Sequence, residues 1–383
     1  MQFSHLTNIE ASATMAVNAR AAEKRRAGER VYNLSAGEPV LLPHPAIIEG
    51  ATIAMQAGKT LYPPVAGIPE LRETASAWVN AEYGTNYESK NTLVTCGGKF
   101  GVFALCQALL SPGDEALVVS PFWVSYPQMV KLFGGALRII ETKQSAGWKV
   151  SRNDLEKIET KIKILVLNNA TNPTGALYSR DEIKSILDWA KEKDIVVISD
   201  EVYSGLVYDR AEYISCGSFP EHQDHVIVVQ SCSKHFAMTG WRAGFVFGSE
   251  EIIKVLTMLQ SQSTTGTSSI SQWVALAAFQ NAAEIIPIVR GEMQARRNVF
   301  IETFQKLFTA SLTPPAAGLY IFIAMRDLGT ERTDSVAFCQ ELIEKANIAL
   351  VPGAAFGVEG YVRASFGAES NEIIESLTAL AKY

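Results

Sequence analysis

Short apolar runs that alternate with helical patterns constrain the fold of this chain more than any other feature of its sequence. Runs rich in Val, Ile and Leu occupy residues 93–95, 116–119, 137–140, 164–167, 195–198 and 226–229. Continuous apolar runs of this length are typical of strands buried on both faces, and the helices between them supply the crossovers of a parallel sheet. The sequence therefore predicts an α/β fold built on a mainly parallel sheet.

Helix signals support this alternation. Ser179 and Glu182 have the spacing of a capping box, which predicts that a helix begins at this point. The apolar positions that follow fall on one helical face: Ile183, Ile186, Leu187 and Ala190. Another helix is predicted over residues 99–110, directly after the first apolar run.

The pattern changes after about residue 281, where a long charged helix is predicted over residues 285–308 and is followed by the break at Pro314 and Pro315. A chain of 383 residues is long for one core. We predict a large domain at residues 46–284. A small α+β domain would be discontinuous and comprise residues 1–45 and 285–383, because the first 40 or so residues carry no strand signal of their own.

The net charge of the chain limits the classes of partner that it is expected to bind. The formal net charge is −6, with 48% hydrophobic and 19% charged residues. These values are ordinary for a globular enzyme, and the negative charge argues against general affinity for nucleic acid or anionic membranes. Small molecules or proteins are the expected partners.

The cysteines give information on metal binding, and the N-terminal segment gives information on the cellular location of the protein. The five cysteines are scattered and lack CxxC or Cys/His spacing, so we predict reduced thiols and no metal site. The N-terminal stretch has no apolar segment of signal-peptide length, which favours the cytoplasm. Its arginines, Arg20, Arg25 and Arg26, leave an organelle transit peptide as the alternative to an ordinary charged helix.

Polar, glycine-rich or aromatic stretches follow the apolar runs: CGGKFG, SPFWVSYP, NNATNPTG, SDEVY and QSCSK. The carboxyl ends of parallel strands meet at one edge of a sheet, where ligands bind. The CGGKFG stretch lacks the GxGxxG pattern of dinucleotide sites and the GxxxxGK[ST] pattern of nucleotide-phosphate loops. Two interpretations of this stretch remain. It is either a helix start whose N–H groups hold one phosphate, or a plain strand-to-helix turn.

Two charged residues at these strand ends are informative as a pair. Asp200 ends an apolar strand, where a carboxylate is costly unless it is paired. Lys234 follows another such strand. Taken singly, each is explained by a surface ion pair or a solvated side chain. At one edge of one sheet, they can act on one ligand.

At this point the sequence resembles a known family. The string Ser231-x-Ser233-Lys234, followed by GWRxG from Gly240, resembles the lysine motif of the pyridoxal-phosphate-dependent class I/II aminotransferases of fold type I. NPTG from Asn172, DEVY from Asp200, YPPVAGIPELR from Tyr62 and VRASFG around Arg363 match as well, in the family's order. The resemblance implies a seven-stranded, mainly parallel sheet covered by helices, with a smaller α+β domain.

The resemblance also implies catalytic roles. Lys234 would bind the cofactor aldehyde and then act as the base that moves the substrate's Cα proton. Asp200 would pair with the pyridine nitrogen and keep it protonated. Asn172 and Tyr203 would hydrogen-bond the phenolic oxygen, and Trp123 would stack on the ring.

The phosphate group of pyridoxal phosphate is assigned by the same resemblance. It would be held by the side chains of Arg242, Ser231 and Ser233 and by the backbone N–H groups of Gly98, Lys99 and Phe100. Tyr62 would reach the cofactor from a neighbouring subunit. The active site would then be complete only in a homodimer.

Substrate recognition is implied by a narrower likeness. Arg363 matches the arginine that holds the α-carboxylate, helped by the backbone of Gly37 and by Asn172 and Trp123. GGK, PxWVSYP, MTGWR and QSTT resemble the aspartate/prephenate subgroup, in which Lys99 would meet the distal carboxylate. Ser12 and Thr14 would contribute to the same pocket. We therefore predict a ping-pong aminotransferase that uses aspartate as donor and 2-oxoglutarate as acceptor.

Alternatives remain open at this stage. They are an aromatic, methionine or prephenate aminotransferase, or a C–S β-lyase, on the same scaffold. A cofactor-sensing transcriptional regulator is disfavoured because the resemblance begins within the first 40 residues and leaves no room for a DNA-binding domain. The chain departs from the family at Ala170, where proline is common, so we expect a cis peptide to be lost there.

Overall fold

The computed structural model of the chain describes residues 9–383, and residues 1–8, the start of the segment compared above with a transit peptide, lie outside the described residues. Strands occupy β1 Tyr32–Asn33, β2 Thr92–Thr95, β3 Glu115–Ser120, β4 Ala136–Glu141, β5 Ile162–Asn168, β6 Val196–Asp200, β7 Val226–Ser231, β8 Gly244–Phe247, β9 Tyr320–Ala324, β10 Ile348–Ala349, β11 Val351–Pro352 and β12 Tyr361–Ser365. Helices occupy α1 Ala13–Arg26, α2 Pro45–Gln56, α3 Pro69–Tyr83, α4 Gly98–Leu109, α5 Ser125–Leu132, α6 Arg152–Leu155, α7 Arg180–Glu192, α8 Glu250–Ser261, α9 Ser269–Gln280, α10 Ala282–Leu307, α11 Ser335–Lys345 and α12 Ser370–Leu380.

A seven-stranded sheet forms the centre of the fold, in the order β2-β8-β7-β6-β5-β3-β4. Its strands are parallel except β8, which runs antiparallel to both β2 and β7. Each predicted apolar run coincides with one of the strands β2 to β7, and the α/β fold with a mainly parallel sheet is confirmed. The sequence reading did not identify β8.

The predicted helices are present, with small differences at their ends. The helix predicted over residues 99–110 is α4, and the one predicted over 285–308 is α10. The capping box at the start of α7 is formed: Ser179 Oγ accepts a hydrogen bond from the Glu182 N–H, and Glu182 accepts one from the Ser179 N–H at 2.7 Å. The apolar face of α7 is buried, as predicted from its spacing.

The N-terminal residues pack with the C-terminal part of the chain. Strand β1 pairs in parallel with β10, so that Tyr32 lies opposite Ile348. Arg20 of α1 binds Glu344 of α11 at 2.6 Å. A three-stranded antiparallel sheet, β11-β12-β9, lies in the same part of the chain. The division into a large domain at residues 46–284 and a discontinuous small domain remains a prediction.

Helix α10 ties distant parts of the fold together through two buried arginines. Arg296 donates to the carbonyl groups of Val40, at 3.1 Å, and Gly367, at 2.7 Å. Arg297 donates to both carboxylate oxygens of Asp209, at 2.6 and 2.8 Å.

No helix between residues 9 and 383 combines the length and the apolar character that crossing a membrane requires.

Candidate active site

A cavity of about 540 Å³ lies at the carboxyl ends of the central strands. Asn168 ends β5, Asp200 ends β6 and Ser231 ends β7, and all three line the cavity. The predicted site residues that line it are Gly37, Gly98, Lys99, Trp123, Asn172, Asp200, Tyr203, Ser231, Ser233, Lys234, Arg242 and Arg363, together with Ser12 and Thr14. The structure therefore brings together residues from nearly the whole length of the chain.

Asp200 has one satisfied and one unsatisfied carboxylate oxygen. Its Oδ2 accepts a hydrogen bond from the Tyr126 hydroxyl at 2.5 Å, whereas Oδ1 is buried and has no hydrogen-bond partner among the described residues. Burial raises the pKa of Asp200 to about 6, and the Tyr126 hydrogen bond, the Val202 N–H and the charge of Lys234 act in the opposite direction. A buried acceptor without a donor is costly, and a protonated ring nitrogen would supply that donor. This carboxylate fits the pyridine end of pyridoxal phosphate.

Lys234 lies in the loop after β7, where its Nζ donates to the Gly37 carbonyl at 2.5 Å. Burial lowers the pKa of Lys234; Tyr320 and Glu38 oppose this shift, while Arg363 and Arg242 add to it. A lowered pKa increases the fraction of neutral amine at physiological pH, and neutral amine is the form that attacks an aldehyde. The environment of Lys234 is therefore suited to a nucleophile and base.

Hydroxyl and guanidinium groups gather at one end of the cavity. Ser231 Oγ donates to Ser233 Oγ at 2.8 Å, and the Ser233 N–H donates back to Ser231 Oγ at 3.1 Å. Arg242 donates to the carbonyl groups of Thr239, at 2.9 Å, and Cys96, at 3.4 Å, and no carboxylate pairs with it in the described part of the chain. Its charge, the two hydroxyls and the start of α4 form a set of donors that fits a phosphate.

A close approach of two backbone segments builds this end of the cavity. A Cβ added to Gly244, at the start of β8, would lie 2.3 Å from the Gly97 carbonyl carbon and 2.4 Å from the Gly98 nitrogen. Only glycine allows β8 to lie this close to the start of α4. The GWRxG motif thus places Arg242 beside the helix start through Gly244.

Arg363 also lines the cavity, and its side chain is buried. It is 2% exposed, and it donates through Nη1 to Asn172 Oδ1 at 3.1 Å and through Nη2 to the Ser35 carbonyl at 3.0 Å. Its Nε has no hydrogen-bond partner in the part of the chain that the structure describes. These contacts fix the plane of the guanidinium without neutralising its charge, so the group can bind a carboxylate.

Lys99 provides a further cation at the cavity. Its Nζ lies 5.1 Å from the centre of the Trp123 ring. Partial burial lowers the pKa of Lys99, and the charge of Arg242 lowers it further. Ser12, Thr14, Met15 and Asn18 at the start of α1 line the same cavity.

Two predicted site residues lie outside the cavity lining. Tyr62 is 90% exposed in the single chain. Phe100 stacks on Phe103, and its backbone N–H donates to the Gly97 carbonyl at 3.1 Å. Gly98 and Lys99 are therefore the residues whose N–H groups at the start of α4 are available to a phosphate.

Several cavity residues were missed by the sequence reading. The most informative are Tyr126, which donates to Asp200; Tyr320, which contacts Tyr203 and Arg363; and Asn168, whose Oδ1 accepts the Asn172 N–H at 2.7 Å. Tyr126 lies in the quoted SPFWVSYP stretch and Asn168 in NNATNPTG, so strand-end position was a usable signal for both. Tyr320 carries no such signal.

The expectation of a lost cis peptide at Ala170 is wrong. The Asn169–Ala170 bond is cis, as are Ser120–Pro121 and Asn172–Pro173. Ala170 is fully buried, and the Asn169 side chain donates to the Ile214 carbonyl at 2.9 Å.

Comparison with known proteins agrees with this geometry. Residues 29–380 match the family model described as aminotransferase class I and II. The chain is 37% identical to the aspartate/prephenate aminotransferase of Thermus thermophilus over 378 residues, which cover 98% of this chain and 96% of that protein. It is 32% identical to the aspartate aminotransferase of Bacillus subtilis over 378 residues, covering 97% of this chain and 96% of the relative.

Solved structures show the same similarity. Superposition on the Thermus thermophilus aspartate aminotransferase with maleate gives a TM-score of 0.94 at 35% identity and covers 100% of this chain and 99% of that one. The aspartate aminotransferase of Thermotoga maritima gives 0.91 at 32% identity, with 99% and 98% coverage. The chain therefore belongs to the pyridoxal-phosphate-dependent class I and II aminotransferases.

Proposed function

We propose that this protein is an aspartate aminotransferase, which takes the amino group from aspartate and gives it to 2-oxoglutarate in a ping-pong cycle. One observation carries the substrate assignment: two cations, Arg363 and Lys99, line one cavity, and neither forms an ion pair within residues 9–383. A substrate with two carboxylates would neutralise both cations. The names of the similar proteins support the same choice.

The cavity residues divide into those that hold the cofactor and those that hold the substrate. When bound, pyridoxal phosphate supplies an electron-withdrawing ring that stabilises negative charge at the substrate's Cα. Asp200, through its buried Oδ1, would keep the ring nitrogen protonated. Arg242, Ser231, Ser233 and the N–H groups of Gly98 and Lys99 would hold the phosphate, with Phe100 contributing only to the helix start.

The substrate side is organised around Arg363. Its guanidinium would bind the α-carboxylate with the backbone of Gly37 beside it, and Lys99 would bind the distal carboxylate. Asn172 orients Arg363 through its Oδ1, which leaves the Asn172 amide N–H₂ to donate, together with Tyr203, to the phenolic oxygen of the cofactor. Trp123 would cover the ring face.

Lys234 would perform the proton transfer. The pKa of Lys234, which burial lowers, favours the free base over the ammonium ion, so an unbound Lys234 amine would be able to accept a proton. The Nζ can then take the proton from the substrate's Cα. Because Asp200 would hold the cofactor ring and Arg363 the substrate carboxylate, Nζ would meet the Cα proton without a diffusional search.

The working unit would be a homodimer. Three large apolar or aromatic side chains are almost fully exposed in the single chain: Leu42 (93%), Leu61 (82%) and Tyr62 (90%). Exposed apolar surface of this kind is typical of an interface with another chain. Tyr62 would then reach the phosphate in the partner's cavity. The five cysteines are free thiols, which suits a reducing compartment. We therefore propose that the protein works in the cytoplasm.

A half-reaction experiment tests this proposal. Purified protein with bound cofactor is mixed separately with aspartate, glutamate, tyrosine, methionine and cystathionine, and the cofactor absorbance is recorded. Conversion to the amine form of the cofactor by aspartate and glutamate is expected. Conversion only by tyrosine or methionine, or release of pyruvate from cystathionine, would overturn the substrate assignment. Prephenate, added as acceptor to the amine form, distinguishes an enzyme that also uses that oxo acid.

A further inference from the structure

Tyr320 contacts two functional groups of the cavity at once. Its hydroxyl lies 3.2 Å from the Tyr203 hydroxyl, and its ring centre lies 4.0 Å from the Arg363 guanidinium carbon. The side chain is 4% exposed and lines the cavity. One residue thus joins the group that faces the cofactor's phenolic oxygen to the group that binds the substrate carboxylate.

The register of the three-stranded sheet explains the contact with Arg363. Arg363 on β12 pairs with Phe322 on β9, so Tyr320, two residues away on β9, lies diagonally opposite Arg363 on the same face. Tyr203 instead follows β6 of the seven-stranded sheet. The contact between the two hydroxyls therefore joins the two sheets inside the cavity.

The backbone at Gly37 makes room for the Tyr320 hydroxyl. A Cβ added to Gly37 would lie 2.1 Å from that oxygen, so the hydroxyl fills the space that a side chain at this position would need. The Gly37 carbonyl is also the acceptor for Lys234 Nζ. The hydroxyl consequently lies among the groups proposed to perform the reaction, whereas a phenylalanine ring would leave this space unfilled.

The two phenols share one hydrogen bond in which either hydroxyl can donate, and they differ in their electrostatic surroundings. Burial tends to raise the pKa of Tyr320, but Arg363 and Lys234 outweigh it and lower that pKa. The pKa of Tyr203 is raised well above its ordinary value by burial and then by Tyr320. When Tyr203 donates its proton to a third group in the cavity, its oxygen can accept a hydrogen bond from the Tyr320 hydroxyl. This arrangement leaves the Tyr203 proton for the cofactor.

We propose that Tyr320 is a positioning residue that holds the Tyr203 hydroxyl as a donor toward the cofactor's phenolic oxygen and supports the Arg363 guanidinium with its ring. This inference rests on the proposed function. It assigns separate tasks to the hydroxyl and the ring, so Tyr320→Phe and Tyr320→Leu have different consequences.

The hydroxyl is tested by a pH titration of the absorbance of the bound cofactor. A hydrogen bond donated to the phenolic oxygen stabilises negative charge there and favours loss of the proton that the bound cofactor shares with Lys234. Tyr320→Phe weakens that bond, so the titration midpoint should rise by roughly half a unit to one unit. Tyr361→Phe, on the same sheet but bonded to Gln144 outside the cavity, is the matched control and should not shift it.

The ring is tested by the affinity for maleate. It is measured at a pH well below the titration midpoints of the cofactor in the wild type and in the variants. Tyr320→Phe keeps the aromatic face under Arg363 and should change the dissociation constant by less than about twofold. Tyr320→Leu removes it and should weaken binding roughly three- to tenfold, the size of a cation–π contact. Equal affinities for the two variants would overturn the role assigned to the ring.

A double-mutant cycle shows whether Tyr320 acts through Tyr203. The midpoint shift caused by Tyr320→Phe should disappear in a Tyr203→Phe background. An equal shift in both backgrounds, no shift in either, or a lowered midpoint would overturn the inference. A wild-type protein that binds no absorbing cofactor would instead refute the proposed function, so the two failures are distinguishable.

Discussion

Tyr126 donates a hydrogen bond of 2.5 Å to one carboxylate oxygen of Asp200, and within residues 9–383 the other oxygen is buried without a partner. The Tyr126 hydroxyl thereby fixes the orientation of the carboxylate. Since Asp200 ends the central strand β6, it is anchored by the sheet on one side and by Tyr126 on the other. This arrangement prepares the carboxylate for one cationic donor in the cavity.

Asp200→Ala should keep the cofactor but lose most of the activity. Arg242 and the two serines would still hold the phosphate, whereas the ring nitrogen would lose the charge that keeps it protonated. We expect kcat to fall by at least about 100- to 1,000-fold, measured together with the absorbance of bound cofactor. Asp224→Ala, which alters an exposed aspartate, is the control. Near-normal turnover of Asp200→Ala would contradict the assigned role.

Lys234→Ala should abolish turnover. The variant lacks both the amine that binds the cofactor aldehyde and the base that moves the Cα proton, so kcat should drop by at least about 10⁴-fold. Lys161→Ala removes an exposed lysine and should behave like wild type. If Lys234→Ala transaminates aspartate at a normal rate, Lys234 is not the catalytic lysine.

Arg363→Lys should impair binding of every substrate of the cycle. Lysine keeps the positive charge but cannot form the planar two-donor contact, and Asn172 and Ser35 lose their bonds to the guanidinium. We expect KM for both aspartate and 2-oxoglutarate to rise roughly 10- to 100-fold. An increase for one substrate alone would mean that Arg363 does not bind their shared α-carboxylate.

Lys99→Ala should alter selectivity and leave the chemistry intact. Loss of a charged hydrogen bond to the distal carboxylate should lower kcat/KM for aspartate by roughly 10- to 100-fold. Alanine has no distal carboxylate and serves as the internal control, so its slow half-reaction should stay within about twofold. A parallel loss for both amino acids would place Lys99 in cofactor binding alone.

Glu201 should make the stability of the fold depend on pH. Burial raises the pKa of this carboxyl from 4.5 to about 7, although bonds from Ser215, Ser199 and the Cys216 N–H oppose the shift. The folded state thus binds the proton more tightly than the unfolded chain. The resulting stability is present below pH 4.5 and is lost as the pH rises through about 7.

Glu201→Gln removes this titration. The measurement is urea unfolding at pH 5 and pH 8 with equal cofactor loading. Between these pH values the free energy of unfolding should fall by about 2 to 3 kcal/mol more for wild type than for the variant. The exposed Glu159→Gln serves as the control and should follow wild type. Identical pH dependence of Glu201→Gln and wild type would show that Glu201 is charged in the folded protein at both pH values.

The sequence predicted the central sheet because its strands are encoded locally, by β-branched runs long enough to read without tertiary information. Strand β8 was missed because its residues, Gly244–Phe247, overlap the end of the GWRxG motif, which was interpreted for its chemistry alone. Its pairing with β2 depends on Gly244, whose role is visible only when the Gly97 backbone is beside it. Long-range packing, and not propensity, decided this strand.

The site was predictable where a residue type carries its chemistry with it. A lysine or an aspartate after a buried strand needs an explanation, so Lys234 and Asp200 could be selected. Tyr320 could not, because a tyrosine in an apolar stretch is explained equally well by packing, and the signal for Tyr126 was limited to its position after a strand. Tyr126 meets Asp200 across 74 residues, and that contact is a property of the fold.

The position of β2 in the sheet has a consequence for the synthesis of the chain. Strand β2 is an edge strand, and β8, its neighbour in the sheet, ends at Phe247. A ribosome that has made the first strand of the sheet must therefore complete the strands β3 to β7 before that first strand can pair. Until then the start of α4 has neither β8 nor Arg242 beside it, so the growing chain acquires its phosphate-binding end only after most of the large sheet has been translated.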